Sequence, residues 1–344
     1  MPLRSQILSL SVLVCAWLAP SAQAIEAAHP VIRSVVRAVY GPSSLDHFRR
    51  PAALAVDRSR GLMAVADAGN HRLLLLDASG RSRGGVPCAA TGSKDRVCEP
   101  RAVAFDARGR LFVAGTLVRG VEVMNPAGAT LARLDPVPQD DPGSAVQGVA
   151  VAPDGRIWMA IAGIHPAVVA LRQDGTSERR IERAGDMPLG SVNALAVSAD
   201  DSFLAVVSMD APRAISLFRT DGTHVASFGE HGEGEGTFSL PTSIAWGPGN
   251  TLWVTDTIRG SISVFDVKGT YRGRIGGFGR GAGEFSYPVA CAFLAADRLA
   301  VLERGNARIQ ILEVGMTEGP DQAPGHVTAG SDSTGIGARS GLKR

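Results

Sequence analysis

One alanine recurs in the same local setting six times along the chain, as Ala55, Ala104, Ala150, Ala196, Ala245 and Ala292. The spacing is about 47 residues, a period that belongs to architectures built by repeating one supersecondary unit. The residue before it is apolar in every copy: Leu54, Val103, Val149, Leu195, Ile244 and Cys291. The residue after it is larger: Val56, Phe105, Val151, Val197, Trp246 and Phe293. Short apolar runs bounded by Gly, Asn and Asp turns follow each copy, so the unit is made of strands. A strand that keeps a small residue in every repeat sits where space is shortest. In a radial array of sheets, that place is the innermost strand beside the axis.

Each repeat offers a second strand, at residues 63–67, 112–115, 158–161, 204–208, 253–256 and 299–303. A third follows at 72–76, 121–125, 167–171, 214–218, 261–265 and 308–312. Turns led by Asp77, Asn125, Asp174, Asp221 and Asp266 then open a polar fourth strand, as at 223–228 and 270–275. Four strands per repeat is the unit of a propeller blade. The expected fold is all-β, a six-bladed β-propeller of four-stranded blades. The sixth copy lacks its fourth strand, while a spare strand at 30–40 precedes the first copy. That N-terminal strand is expected to complete the last blade as its outermost member and so close the ring noncovalently. The propeller would occupy residues 25–314, and the Gly-, Ser- and Thr-rich segment 315–344 reads as a disordered tail.

Residues 1–24 read as a signal peptide. Arg4 precedes an apolar run over 7–19, and Ala22 and Ala24 are the small residues of a cleavage site. The run is shorter than the roughly 20 residues that span a bilayer. The mature chain is then expected in the periplasm or outside the cell, beginning at Ile25. In an oxidising compartment Cys88 and Cys98 are the natural disulfide pair, and their short loop is worth roughly 3 kcal/mol in the chain-entropy model. Cys291, inside an apolar strand, reads as an inert core thiol. With 35 basic and 33 acidic residues the chain has no concentrated basic surface, so no nucleic-acid partner is expected.

Two turns between second and third strands carry a motif: VADAGNHRL at 65–73 and VLERGNARI at 301–309. An acidic residue, a Gly-Asn turn and an arginine opening the next strand resemble the NHL repeat. The spacers FGEHGEGEGTFSLP and FGRGAGEFSYP, ending at Pro241 and Pro288, match that family's Gly-rich, Phe-x-x-Pro lead into a blade. The resemblance covers residues 31–314 and implies the propeller fold; a scaffold with so many uses says little about function. Asp67, Asn70 and Arg72, and likewise Glu303, Asn306 and Arg308, read as staples of their turns. Gly69 and Asn70 are expected to supply positive φ there. Blades two to five depart from the pattern. Gly115, Ile161 and Ser208 stand in the acidic slot, and blade five keeps Asp256 but has Ser261 for the arginine.

Three positions before each repeated alanine lies a column that would line the mouth of the central channel: Ala52, Arg101, Gln147, Asn193, Thr242 and Val289. The four consecutive polar side chains, Arg101 to Thr242, suit a polar ligand or ordered water. No GxSxG elbow and no Walker-type phosphate loop occurs. The expected role is therefore a module that binds a protein, peptide or cell-envelope ligand through its loop-rich face, without a cofactor. The alternative is a metal-dependent lyase or hydrolase at that face. Related NHL-like propellers include a peptidyl-hydroxyglycine lyase with histidine-bound zinc. Here His71 and His165 fall in equivalent turns, His47 is the remaining candidate ligand, and blade five offers Ile258 and Arg259 instead of a histidine. Calcium is the other ion to consider, at the loop carrying Glu230, Glu233 and Glu235.

Overall fold

The computed structural model describes residues 28–87, 99–116, 118–137 and 143–318. Six antiparallel four-stranded sheets form the blades. Blade one is Ala53–Asp57, Leu62–Asp67, Arg72–Asp77 and Ser82–Pro87. Blade two is Pro100–Phe105, Leu111–Gly115, Val118–Met124 and Thr130–Leu134. Blade three is Ala145–Val151, Ile157–Ala162, Ala167–Leu171 and Ser177–Ile181. Blade four is Val192–Val197, Phe203–Ser208, Ile215–Arg219 and His224–Phe228. Blade five is Pro241–Gly247, Thr251–Asp256, Ser261–Phe265 and Tyr271–Gly276. Blade six is Pro288–Ala295, Arg298–Glu303 and Arg308–Glu318, with Ala28–Val39 as its fourth strand.

That closing strand runs antiparallel to the third strand of blade six, from Ala28 opposite Glu318 to Val39 opposite Ile309. Residues 315–318, expected as the start of a tail, are therefore paired. The reason is the partner: the 12-residue closing strand begins at Ala28, early enough to offer backbone groups as far as Glu318. The presumed signal segment, Cys88, Cys98 and residues 319–344 lie outside the described residues.

The core is divided among the six blade interfaces, with one cluster of buried side chains in each. Second and third strands are covered on both faces, so they read as unbroken apolar runs such as Leu73-Leu74-Leu75-Leu76 rather than as alternations. Fourth strands are the most exposed of each blade, as in Thr130–Leu134. Aromatic residues fill the wider gaps between blades: Trp253 of blade five meets Phe293 of blade six edge to face at 5.2 Å. The closing strand contributes Ile32 and Val35 to the interface of blades five and six, and Val39 to that of blades six and one. Among the described residues no helix is long and apolar enough to cross a membrane.

Candidate functional site at the channel mouth

In five blades the first rung of the inner ladder is irregular. Pairing skips Arg101, Gln147, Asn193, Thr242 and Val289, each of which lies at a register shift between its inner strand and the next. A bulge sets two residues against one, bends the strand and re-aims a side chain. Blade one is regular here, with Ala53 opposite Ala66 and the Ala52 N–H donating to Ala66 O. All six column residues line one axial cavity of about 560 Å³. Below the mouth its wall is the repeated alanine with its larger neighbours, including Phe105, Trp246 and Phe293. Thr242 is already engaged: its Oγ1 lies 2.8 Å from Thr257 Oγ1, which donates to Pro288 O at 2.6 Å. Arg101 is exposed, and Gln147 and Asn193 are half-buried, with no side-chain hydrogen bond among the described residues.

The NHL-like motif clamps the loop that leads into its blade onto the turn between second and third strands. Asp67 Oδ1 accepts from the Arg49 N–H at 2.7 Å, and its Oδ2 accepts from Asn70 Nδ2 and Arg72 Nε. Asn70 Nδ2 also reaches His47 O, and Arg72 grips Asp46 with both Nη atoms, at 2.6 and 2.7 Å. Those hydrogen bonds from Arg72 hold the Asp46 carboxyl below its usual range. Glu303 repeats the device by accepting from Ser286 N–H, Asn306 Nδ2 and Arg308 Nε. Arg308 continues to the carbonyls of Arg280, Gly281 and Glu284. The left-handed residue of each turn is His71 (φ 52°) or Ala307 (φ 48°), not the glycine or asparagine. The glycine serves close approach instead. A Cβ on Gly69 would stand 2.6 Å from Arg49 O, whose oxygen accepts the Gly69 N–H.

Blades four and five keep the clamp with displaced residues. In blade five Asp256 accepts from Ser239 and Leu240 N–H, and the arginine comes from the turn itself. Arg259 Nε lies 3.6 Å from Asp256 Oδ2, and its guanidinium donates to Gly232 O, Gly234 O and Thr237 Oγ1. In blade four Asp210, two positions after Ser208, accepts from the N–H and hydroxyl of Ser191.

The histidine set does not assemble. Among the described residues no three His, Cys, Asp or Glu side chains are grouped to hold a metal ion, so His47, His71 and His165 share no centre. The glutamate loop is not a calcium cradle either, since Arg259 takes the Gly232 and Gly234 carbonyls and Arg213 pairs with Glu230. Cys291 is buried, donates weakly to Trp253 O, and has its thiol pKa pushed up to about 11 by burial. Sequence reasoning passed over an exposed aromatic pair on the loop-rich face. Phe278 (58% exposed) and Tyr287 (45%) meet edge to face at 5.4 Å. Both lie in the FGRGAGEFSYP spacer, whose aromatic spacing was the available signal.

No family model matches the sequence, and none of the curated proteins compared with it does either. Solved structures do resemble the fold. A gluconolactonase from Xanthomonas campestris superposes with a TM-score of 0.60 at 17% identity, covering 84% of this chain and 94% of that one. Regucalcin from Agrobacterium tumefaciens, described as a calcium-binding protein, gives 0.58 at 15%, covering 86% and 98%. Kuenenia stuttgartiensis hydrazine synthase gives 0.56 at 11%, covering 77% and 96%. A calcium ion takes six to eight oxygens, carboxylates prominent among them. The mouth column here holds an arginine, two amides, a threonine, an alanine and a valine, and no carboxylate. These residues do not fit such an ion. The likeness to these three structures is one of fold: a six-bladed propeller with a polar channel mouth of its own composition.

Proposed function

We propose that this chain is an exported NHL-type propeller that binds a protein, peptide or envelope ligand on its loop-rich face, around the channel mouth. The observation that carries the reading is the loop-rich face itself. Lead-in loops are clamped onto their turns in four blades, and the pinned frame presents an exposed aromatic pair beside polar mouth side chains with free hydrogen-bonding capacity. Rigid backbone with aromatic side chains and unfilled polar groups is what recognition surfaces need. Two clamps built alike from Asp67-Asn70-Arg72 and Glu303-Asn306-Arg308 support the NHL assignment. Export and a Cys88–Cys98 disulfide belong to the same reading. N-terminal sequencing of the cell-derived protein should find Ile25, and a chain still beginning at Met1 counts against export.

Site-specific photo-crosslinking in the native host tests the binding face. A probe replacing Tyr287 should give a defined adduct, and one replacing Asp174, on the opposite face, should not. Equal adducts at both positions, or none at either, would sink the reading. The competing reading is a metal-dependent lyase or hydrolase working at the same mouth. The likeness to a gluconolactonase favours it, while a mouth column without carboxylates and the lack of a grouped ligand set among the described residues oppose it. Turnover of a lactone that depends on added zinc or calcium would promote it.

A further inference from the structure

The rim of the mouth is uneven in charge. At two rim positions blade one carries alanines, Ala52 in the mouth column and Ala68 just after its acidic clamp residue. The neighbouring blades carry arginines at the same positions: Arg101 in the mouth column of blade two, and Arg304 just after Glu303 in blade six. Alanines flanked by long cations make a pocket. Its volume is about 370 Å³, its floor is Ala52 and Ala68, and its walls include Arg101, Arg304 and Gln147. Arg50 and Glu99, from the lead-in loops of blades one and two, complete the lining and lie 3.3 Å apart.

The lining therefore holds three guanidinium groups, always charged, and one carboxylate. Glu99 answers Arg50 alone. Arg101 and Arg304 have no acceptor among the described residues. Of the other arginines on this face, Arg72, Arg213, Arg259 and Arg308 sit in ion pairs, and Arg49 and Arg280 lie outside the pocket lining. The backbone beneath the unpaired arginines is fixed. Arg304 N–H donates to Tyr287 O at 2.9 Å, and Thr116 N–H to Glu99 O at 3.3 Å. Like charges on a pinned frame repel unless an anion sits between them, and a planar guanidinium fork matches an oxyanion in geometry as well as charge.

We propose that this pocket is the anchor site for a doubly charged oxyanion, a phosphomonoester or a dicarboxylate, carried by an acidic ligand of the face. The proposal deepens the binding reading above and rests on it. Arg101 and Arg304 take the anion, Gln147 adds a neutral donor, and Glu99 holds Arg50 and sets the net charge that the ligand must balance. Tyr287, joined to Arg304 through the backbone, stands beside the site with Phe278, so an apolar body next to the anion finds an aromatic surface.

Calorimetric titration of the mature protein with phenyl phosphate and with phthalate tests this, at low salt and about pH 7.5, where the phosphate is doubly charged. Saturable binding of at least one is expected, and the tighter of the two identifies the headgroup. Arg101→Gln and Arg304→Gln should each weaken it tenfold or more, while Glu99→Gln strengthens it. Both arginine variants should melt like the native protein, since neither side chain holds a partner. Native protein that binds neither anion, or arginine variants that bind as the native protein does, would overturn the proposal. Crosslinking at position 287 separates the two ideas: adducts without anion binding leave the face and remove the anchor. Anion binding without adducts does the reverse.

Discussion

A carboxylate at position 67 or 303 caps a lead-in loop and neutralises an arginine with the same group, while fully buried. Such a charge is tolerated because both oxygens find donors and an arginine stands beside them, and removing one partner strands the rest. Arg308→Ala is therefore expected to destabilise the protein by about 3–5 kcal/mol, read from denaturant unfolding, because Glu303 stays buried without its counter-charge. Turn acids nearer the solvent behave differently. Asp77 has its pKa lowered from 3.8 to about 2, chiefly by the hydroxyl of Ser79 and the Arg81 N–H. Its contribution is complete above the ordinary carboxylate value and disappears as pH falls from about 4 through 2. NMR titration should find Asp77 still ionised at about pH 3, and Ser79→Ala should move its midpoint up toward the ordinary value. The motif residues were readable in sequence because they keep a fixed spacing. The role of Gly69 was misread, because a glycine needed for close approach and one needed for positive φ look identical in a sequence.

Among the strands, the inner ones were legible to within a residue or two because one small residue marks each of them. Their bulges were not. An extra residue in one strand leaves no compositional mark, and whether Arg101 or Asn193 turns toward the axis depends on the partner strand's length. The displaced clamps were hidden for a related reason. Arg259 reaches Asp256 from within the turn, so a column search for arginine at position 261 finds serine and stops. Arg259→Ala is expected to cost about 1–3 kcal/mol, because the loop carbonyls lose their donor and the Asp256 carboxylate keeps only its backbone N–H partners. The loss should be local. Hydrogen exchange should quicken across residues 230–240 and stay unchanged in the blade-one loop that Asp67 and Arg72 hold. Equal quickening in both loops would show that the clamps do not act blade by blade.

At the scale of the whole molecule, six interfaces are closed by one noncovalent strand. Without residues 28–39 the third strand of blade six would present an open edge of 11 residues. A chain lacking 28–39 should associate or precipitate on size-exclusion chromatography, and a synthetic peptide of that segment should restore the native elution. A deletion variant with the native elution and melting curve would show that the ring stands without its clasp. The closure also carries a meaning in time. Among the described strands the one at residue 28 leaves the ribosome before the others, and its partner at residue 318 is among the last parts of the described structure to be made. At roughly 5–20 residues per second the early strand waits on the order of tens of seconds for its mate. Throughout that interval every nascent copy offers a bare β-ribbon to its neighbours. Escorting the unfinished chain, rather than stabilising the finished one, is then the step at which the cell has most to gain.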